Sequence, residues 1–306
     1  MNISSIKLSN EIKDALKKRK PIVALESTLI SHGLPYPTNI EIAEKSIKNI
    51  KSNGSTAATI GIINGSIKIG LTSEELKILG TNKNVEKVSR HNISFSMFKN
   101  KFASTTVAST IMIASLVGIK FFSTGGIGGV HRDSNKTYDI SADLKELEKS
   151  NMIVICSGAK SILDLKKTNE MLETLGISKI GYKTNKVPGF WCEKTNLNVD
   201  YKLNKINELQ LILKNRKLLK QLGSILIYNP VPKKDSINNI ILEKWIMKAI
   251  KKAGNKNIFG KKLTPFLLNE ISNISKGLTM KANKSLILNN AKLAGKIAYD
   301  LNKYLW

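Results

Sequence analysis

The sequence predicts an α/β protein, a single three-layer α/β/α domain over residues 1–306 with a central mixed sheet. Short Ile/Val/Leu-rich runs of strand character alternate with longer segments of helical period along the chain. The dipeptide Asn64–Gly65, set between ATIGII and SIKIG, marks a tight hairpin. Nothing repeats at a solenoid period, and no low-complexity linker divides the 306 residues.

Taken in order, residues 9–18 read as a first helix of mixed apolar and charged residues. The pattern changes at Pro21, and PIVALEST reads as a short buried strand running into a loop. In SHGLPYPTN, Gly33, Pro35 and Pro37 supply turn chemistry, and Thr38 or Asn39 is placed to cap the helix IEIAEKSIKNIKS. The hairpin follows. TTVASTIMIASLVGI is an apolar helix, and FFSTGGIGGVHR begins as a strand before paired glycines open a loop. ADLKELEKS reads as a surface helix, MIVICS as a buried strand, SILDLKKTNEMLETLG as a helix and KIGYKT as a strand. A helix over much of 205–221, the strand-to-loop segment SILIYNPVP, and helices at 235–253 and 265–275 continue the alternation. KSLILNNAKLAGKIAYDLNKYLW closes the chain as an amphipathic helix whose aromatic end packs.

A 42% hydrophobic composition with 20 glycines and 7 prolines is that of a folded core and not of a disordered chain. MNISSIKLSNEIKDALKKRK lacks a continuous apolar h-region, and no run approaches the roughly 20 apolar residues that cross a bilayer, so neither export nor membrane insertion is expected. Two cysteines are too few for a disulfide scaffold, and Cys156 in MIVIC suits a buried strand in a reducing cytoplasm. The net charge of +26 attracts phosphates, acidic metabolites and nonspecific nucleic acid alike. Its lysines are spread over many elements with no helix-turn-helix, zinc-finger or RNA-recognition signature, so no sequence-specific nucleic-acid partner is expected.

Several residues are placed for chemistry. Glu26 directly follows the apolar run Ile22–Leu25, where a strand end holds a carboxylate against a cleft or caps a loop. Lys160 follows MIVICS and the small Gly158 and Ala159, either as a plain solvated lysine or as an enclosed amine able to attack an electrophilic carbon. The glycines of TGGIGGVHR either approach an anion, with His131 or Arg132 assisting, or pack closely; they match neither GxGxxG nor the GK[ST] ending of a P-loop. Asp139 is a hard oxygen donor for a divalent ion, while Asp143 either orients a sugar hydroxyl, water or amine or caps a helix over Leu144–Ser150. Lys87, Arg90 and His91 add positive charge for a phosphate or form a solvent-facing loop, Thr105 and Thr106 hold phosphate or cap the next helix, and Asn283 bonds a substrate or caps.

The ordered set PIVALESTLISHGLPYPTN, KVSRHN, ASTTVAST, FFSTGGIGGVHR, YDISADL and CSGAKSILDL, continued by TPFLLNEI and SLILNNA, resembles the pseudouridine-5'-phosphate glycosidase family, also known through indigoidine-synthase-A-like proteins. It covers nearly the whole chain. The resemblance implies reversible cleavage of the C–C bond of pseudouridine 5'-phosphate to uracil and ribose 5-phosphate through a lysine adduct, with Lys160 as nucleophile and Glu26 as proton-transfer residue. It implies substrate contacts at Lys87, Thr106, Val107, Ser141, Ala142, Asp143 and Asn283, a Mn2+ ion on Asp139, and a cytoplasmic homotrimer. Departures from the family pattern are His91 and Asn92 in KVSRHN, Asp133 in HRD where glycine is frequent, and KAN around Asn283. The alternatives are a C-glycosidase for another base and a phosphosugar-binding protein without turnover.

Overall fold

The computed structural model describes residues 6–258 and 263–304. Its strands are β1 (Ile6–Leu8), β2 (Ile22–Leu25), β3 (Thr56–Ile63), β4 (Ser66–Ile69), β5 (Glu86–Val88), β6 (Ala103–Thr105), β7 (Phe121–Ser123), β8 (Ile153–Cys156), β9 (Ser178–Tyr182), β10 (Tyr201–Leu203) and β11 (Ile225–Tyr228). They form one sheet in the order β1-β4-β3-β2-β7-β8-β11-β9-β10, with β6 paired to both β3 and β5. β3 runs antiparallel to β4 and β6, and the remaining pairs are parallel, so the sheet is mixed as predicted.

The helices are α1 (Asn10–Lys17), α2 (Thr38–Lys51), α3 (Ser73–Thr81), α4 (Ile93–Phe98), α5 (Val107–Leu116), α6 (Ser134–Thr137), α7 (Ala142–Lys149), α8 (Leu165–Thr174), α9 (Glu208–Leu218), α10 (Asn239–Asn255), α11 (Leu263–Ile274) and α12 (Leu278–Leu301). They cover both faces because the central strands are apolar on both. In β8, Ile153 and Ile155 join Leu209 of α9 and Ile297 of α12 in one core, while Val154 and Cys156 join Ile111 of α5 and Leu144 of α7 in the other. β2 and β11 split their side chains in the same way, following the period of two. No helix among the described residues is long and apolar enough to cross a membrane.

The hairpin forms where Asn64–Gly65 placed it, with both residues at positive φ (48° and 70°) as a type I′ turn demands. Other expectations shift. Neither Thr38 nor Asn39 caps α2: Pro37 holds the N-cap position, and the buried Asn39 instead donates to the carbonyls of Ile30 and Gly80. KVSRH is not only a loop, since Lys87 lies in β5. α12 begins at Leu278, ahead of the predicted start, and residues 305–306 of the predicted closing segment lie outside the described residues, as do residues 1–5.

Candidate active site

The carboxyl ends of adjacent parallel strands β2, β7 and β8 deliver the central groups, the place where open α/β sheets bind ligands. Glu26 is the first residue past β2. Its turn is fixed by Ser27, whose hydroxyl donates to the Ile60 carbonyl at 2.7 Å and accepts from the Thr105 amide at 2.9 Å, and by Thr28, which donates to the Thr105 carbonyl at 2.8 Å. Thr105 is therefore a brace between β3, β6 and this turn. Its own hydroxyl is buried and donates to the Ile60 carbonyl at 2.8 Å, away from the cavity.

Lys160 stands in the loop after β8. That loop is zipped to the glycine loop after β7 by Ser157 N–H to Gly125 O, Ile127 N–H to Gly158 O and Lys160 N–H to Ile127 O. Gly158 has φ +91°, and a Cβ there would lie 2.3 Å from the Pro188 carbonyl oxygen, so only glycine fits. At Gly128 a Cβ would meet the Ser141 hydroxyl at 2.2 Å; this glycine serves close packing.

One cavity gathers Glu26, His32, Lys87, Thr124, Gly125, Lys160, Phe190 and Asn283, with Thr264 and Leu268 of α11 on its far wall. Asn283 lies within α12 and is not a cap. A much larger groove, about 910 Å³ against about 80 Å³, is lined by Lys120, Lys214, Lys217 and Lys220 at the other end of the strands, but it holds no amine paired with a desolvated carboxylate. Chemistry locates the site; volume does not.

Electrostatics tie these groups together. Desolvation pushes the Glu26 carboxyl up, the cations of Lys160 and Lys87 and a hydrogen bond from Thr124 pull it down, and the charge of Asp143 pushes it up. Lys87 is exposed as a residue, yet its amine is crowded enough that desolvation lowers its pKa; the Lys160 cation lowers it further, against Asp143 and Glu26. His32 is held below its ordinary value by desolvation and then by Lys87, which leaves it neutral at physiological pH. It sits in a π-helical turn over Leu29–Gly33, with Ser31 Oγ 2.6 Å from its Nδ1. The π turn and the SHGLP string marked it, but sequence reading did not single it out.

Asp143, Ser141 and Thr106 join two helix starts at the site's edge. Ser141, not Asp143, caps α7; its hydroxyl accepts from the Asp143 amide at 3.2 Å. Asp143 is buried inside the first turn, where Oδ1 accepts from the Ala108 amide at 2.9 Å and Oδ2 from the Gly128 amide at 2.8 Å. Thr106 caps α5 in a reciprocal pair with Ser109, so Val107 and Ala142 open two neighbouring helices. Within these first turns the Ala108, Ser109 and Asp143 amides already donate to Asp143, Thr106 and Ser141, so an anion at this edge would turn to the amides of Val107 and Ala142.

The other candidates are used elsewhere. Arg90 Nε pairs with the buried Glu146 of α7, so this cation anchors a helix. His91 is exposed and off the cavity. Arg132 forms a two-pronged pair with Glu243 of α10. Both cysteines are free and buried, and desolvation pushes the Cys156 thiol up to about 12.

Asp139 is partly exposed in the loop that leads to α7, with Oδ2 3.9 Å from His131 Nδ1. Desolvation pushes the His131 pKa down, Asp139 pulls against it, and Lys160 and Lys87 push it lower again. Among the described residues no three His, Cys, Asp or Glu cluster to hold an ion. A carboxylate beside a neutral imidazole fits a mostly hydrated divalent ion, with water completing its shell.

The family model for indigoidine synthase A like protein matches residues 11–300. The chain is 48% identical over 298 residues to a pseudouridine-5'-phosphate glycosidase of Caldanaerobacter subterraneus subsp. tengcongensis, covering 97% of each protein. It is 43% identical over 301 residues to the Escherichia coli K12 protein of the same name, covering 97% of this chain and 96% of that one. Among solved structures, the prealnumycin C-glycosynthase in complex with ribulose 5-phosphate superposes with a TM-score of 0.90 at 34% identity, over 97% of both chains. An indigoidine synthase A-like protein of Thermotoga maritima gives a TM-score of 0.88 at 34% identity, over 97% of this chain and 96% of that one. With its sequence matched nearly end to end and its fold shared, the chain belongs to the indigoidine synthase A-like family.

Proposed function

We propose that this chain is a pseudouridine-5'-phosphate glycosidase, which with water reversibly cleaves the C–C bond between uracil and ribose 5-phosphate. The observation that carries the reading is one cavity holding the Lys160 amine and the desolvated Glu26 carboxyl, in a chain nearly co-extensive with relatives of that name.

The chemical difficulty is a carbon leaving group. Opening the sugar breaks C1'–O4' and leaves a proton on O4'; the Lys160 nitrogen bonds to C1'. The C1'–C5 pair then stays with uracil as C5 takes a proton, while the lysine nitrogen's lone pair closes an imine to C1'. Water hydrolyses the imine to the free amine and the sugar aldehyde. Glu26 moves the protons, and its upward-shifted pKa keeps a protonated fraction at higher pH than an ordinary carboxyl does. Lys87 and the helix starts at Val107 and Ala142, with Ser141, take the phosphosugar end, and Asn283 orients the substrate beside the reacting carbon. Asp139, with His131 beside it, holds Mn2+, which when bound supplies a Lewis-acidic charge that orders water and acidic groups at the site. The protein works as a homotrimer in the cytoplasm.

Metal-loaded protein is expected to release uracil and ribose 5-phosphate from pseudouridine 5'-phosphate, with kcat/KM at least about 100-fold above that for pseudouridine, because charge-assisted phosphate contacts are lost with the phosphate. Chromatography of the products over a panel of C-linked base–ribose 5-phosphates measures this. Base release from another member alone would assign a different base, and binding without any release would make the chain a phosphosugar-binding protein.

Asp139→Asn is expected to weaken Mn2+ binding by at least about tenfold, read by electron paramagnetic resonance of free Mn2+. Equal affinity in the parent and the variant would remove Asp139 as the ligand.

A further inference from the structure

Thr124 is 4% exposed and lies one residue past β7. Its hydroxyl donates a short hydrogen bond to Oε1 of Glu26, 98 residues earlier in the chain. Its backbone is held from the other side by Asn290 of α12, which is fully buried. The Asn290 amide nitrogen lies 2.9 Å from the Thr124 carbonyl oxygen, 3.1 Å from Ser157 Oγ and 3.4 Å from the Gly125 carbonyl oxygen. Its oxygen accepts from Asn229 Nδ2 at 3.0 Å. Ser157 in turn donates to the Asn229 carbonyl at 2.8 Å and begins the loop that ends at Lys160. A single buried amide thus fastens the loop carrying the partner of Glu26 to the loop carrying Lys160.

We propose that Thr124 is a positioning residue for Glu26, and that Asn290 keeps it there by locking the loops after β7 and β8 in one register. The inference rests on the proposed function for its catalytic consequence, but the contact itself does not. A buried asparagine with every polar atom engaged costs heavily to reorganise, so it specifies one arrangement of its neighbours. A hydroxyl donor to a carboxylate does two things: it fixes which oxygen faces the cavity, and it stabilises the charged form. The charges facing Glu26 are Lys160 from the loop after β8, Lys87 from β5 and Asp143 from α7, with His32 on the same cavity. The two lysines and Thr124 favour the carboxylate; burial and Asp143 favour the acid. Removing the Thr124 hydroxyl therefore raises the Glu26 pKa, whichever way Glu26 moves its proton.

The test is Thr124→Val, which keeps the shape and loses the donor, against Thr124→Ser, which keeps the donor. Glu26 is titrated directly in substrate-free protein by 13C nuclear magnetic resonance of labelled glutamate, its signal assigned through Glu26→Gln. Thr124→Val is expected to move the titration up by about one pH unit, and Thr124→Ser to restore it. The pH limb of kcat that depends on Glu26 moves in the same direction, with KM changing less than kcat. Asn290→Ala is expected to give a smaller shift of the same sign. An unmoved Glu26 titration in both Thr124→Val and Asn290→Ala would overturn the proposal. If the titration moves but the parent releases no uracil, the substrate reading falls and the Thr124 assignment stands.

Discussion

Replacing Lys160 by alanine is expected to lower kcat by on the order of 10^4 or more while the fold and part of the substrate binding survive. Among the described residues the Lys160 side chain has no hydrogen bond and no ion pair within 4.0 Å; only its backbone is engaged, at Ile127 O and Leu163 N. Truncation removes a nucleophile without orphaning a hydrogen-bond partner; it also takes away the charge that most favours the Glu26 carboxylate, and both losses fall on turnover. Lys160→Arg is expected to fail equally, because a guanidinium stays protonated and cannot add to C1'. Lys87 is the competing amine in the same cavity. Borohydride added during turnover, followed by peptide mass mapping, places the reduced adduct on Lys160; a reproducible adduct on Lys87, or turnover in Lys160→Ala close to the parent rate, would reverse the assignment.

What the sequence exposed follows from how far apart the interacting groups lie. The runs IVAL, IVIC and ILIY were readable because parallel strands covered on both faces are continuously apolar, and each became a central strand. Asn64–Gly65 was readable because its turn needs nothing beyond its own two residues. The three-residue strands β1, β5 and β10 were not, since IKL, EKV and YKL carry too little pattern to stand out from loop. α3 did carry a signal, the capping box of Thr72 with Glu75, which went unread.

The site divides along the same line. Glu26 and Lys160 stood out because each ends an apolar run. Thr124 did not, because its importance comes from Glu26, 98 residues away, and from Asn290, 166 residues away. Arg90 and Arg132 looked available for phosphate because sequence shows their charge and hides Glu146 and Glu243, which take it.

Asp143 shows the same effect with the largest consequence for stability. Asp143→Ala is expected to destabilise the protein by about 3–6 kcal/mol, a far greater loss of stability than Lys160→Ala, in addition to any loss of activity. From the sequence it is a cap or a sugar ligand, but capping falls to Ser141, and the carboxylate instead ties the start of α5 to the glycine loop through the amides of Ala108 and Gly128. With the residue only 6% exposed, water does not readily replace the carboxylate, so truncation leaves two buried donors unmet. Asp143→Asn is expected to be intermediate, since its oxygen serves one amide while its NH2 group faces the other as donor against donor. Two amides do not use up the lone pairs of a carboxylate, so the brace does not by itself exclude the proposed substrate contact. Chemical unfolding of the parent, Lys160→Ala, Asp143→Asn and Asp143→Ala, with activity measured on the same samples, separates the two roles. A variant at 143 that loses turnover but unfolds at the parent's denaturant midpoint would mean that the carboxylate serves the substrate alone.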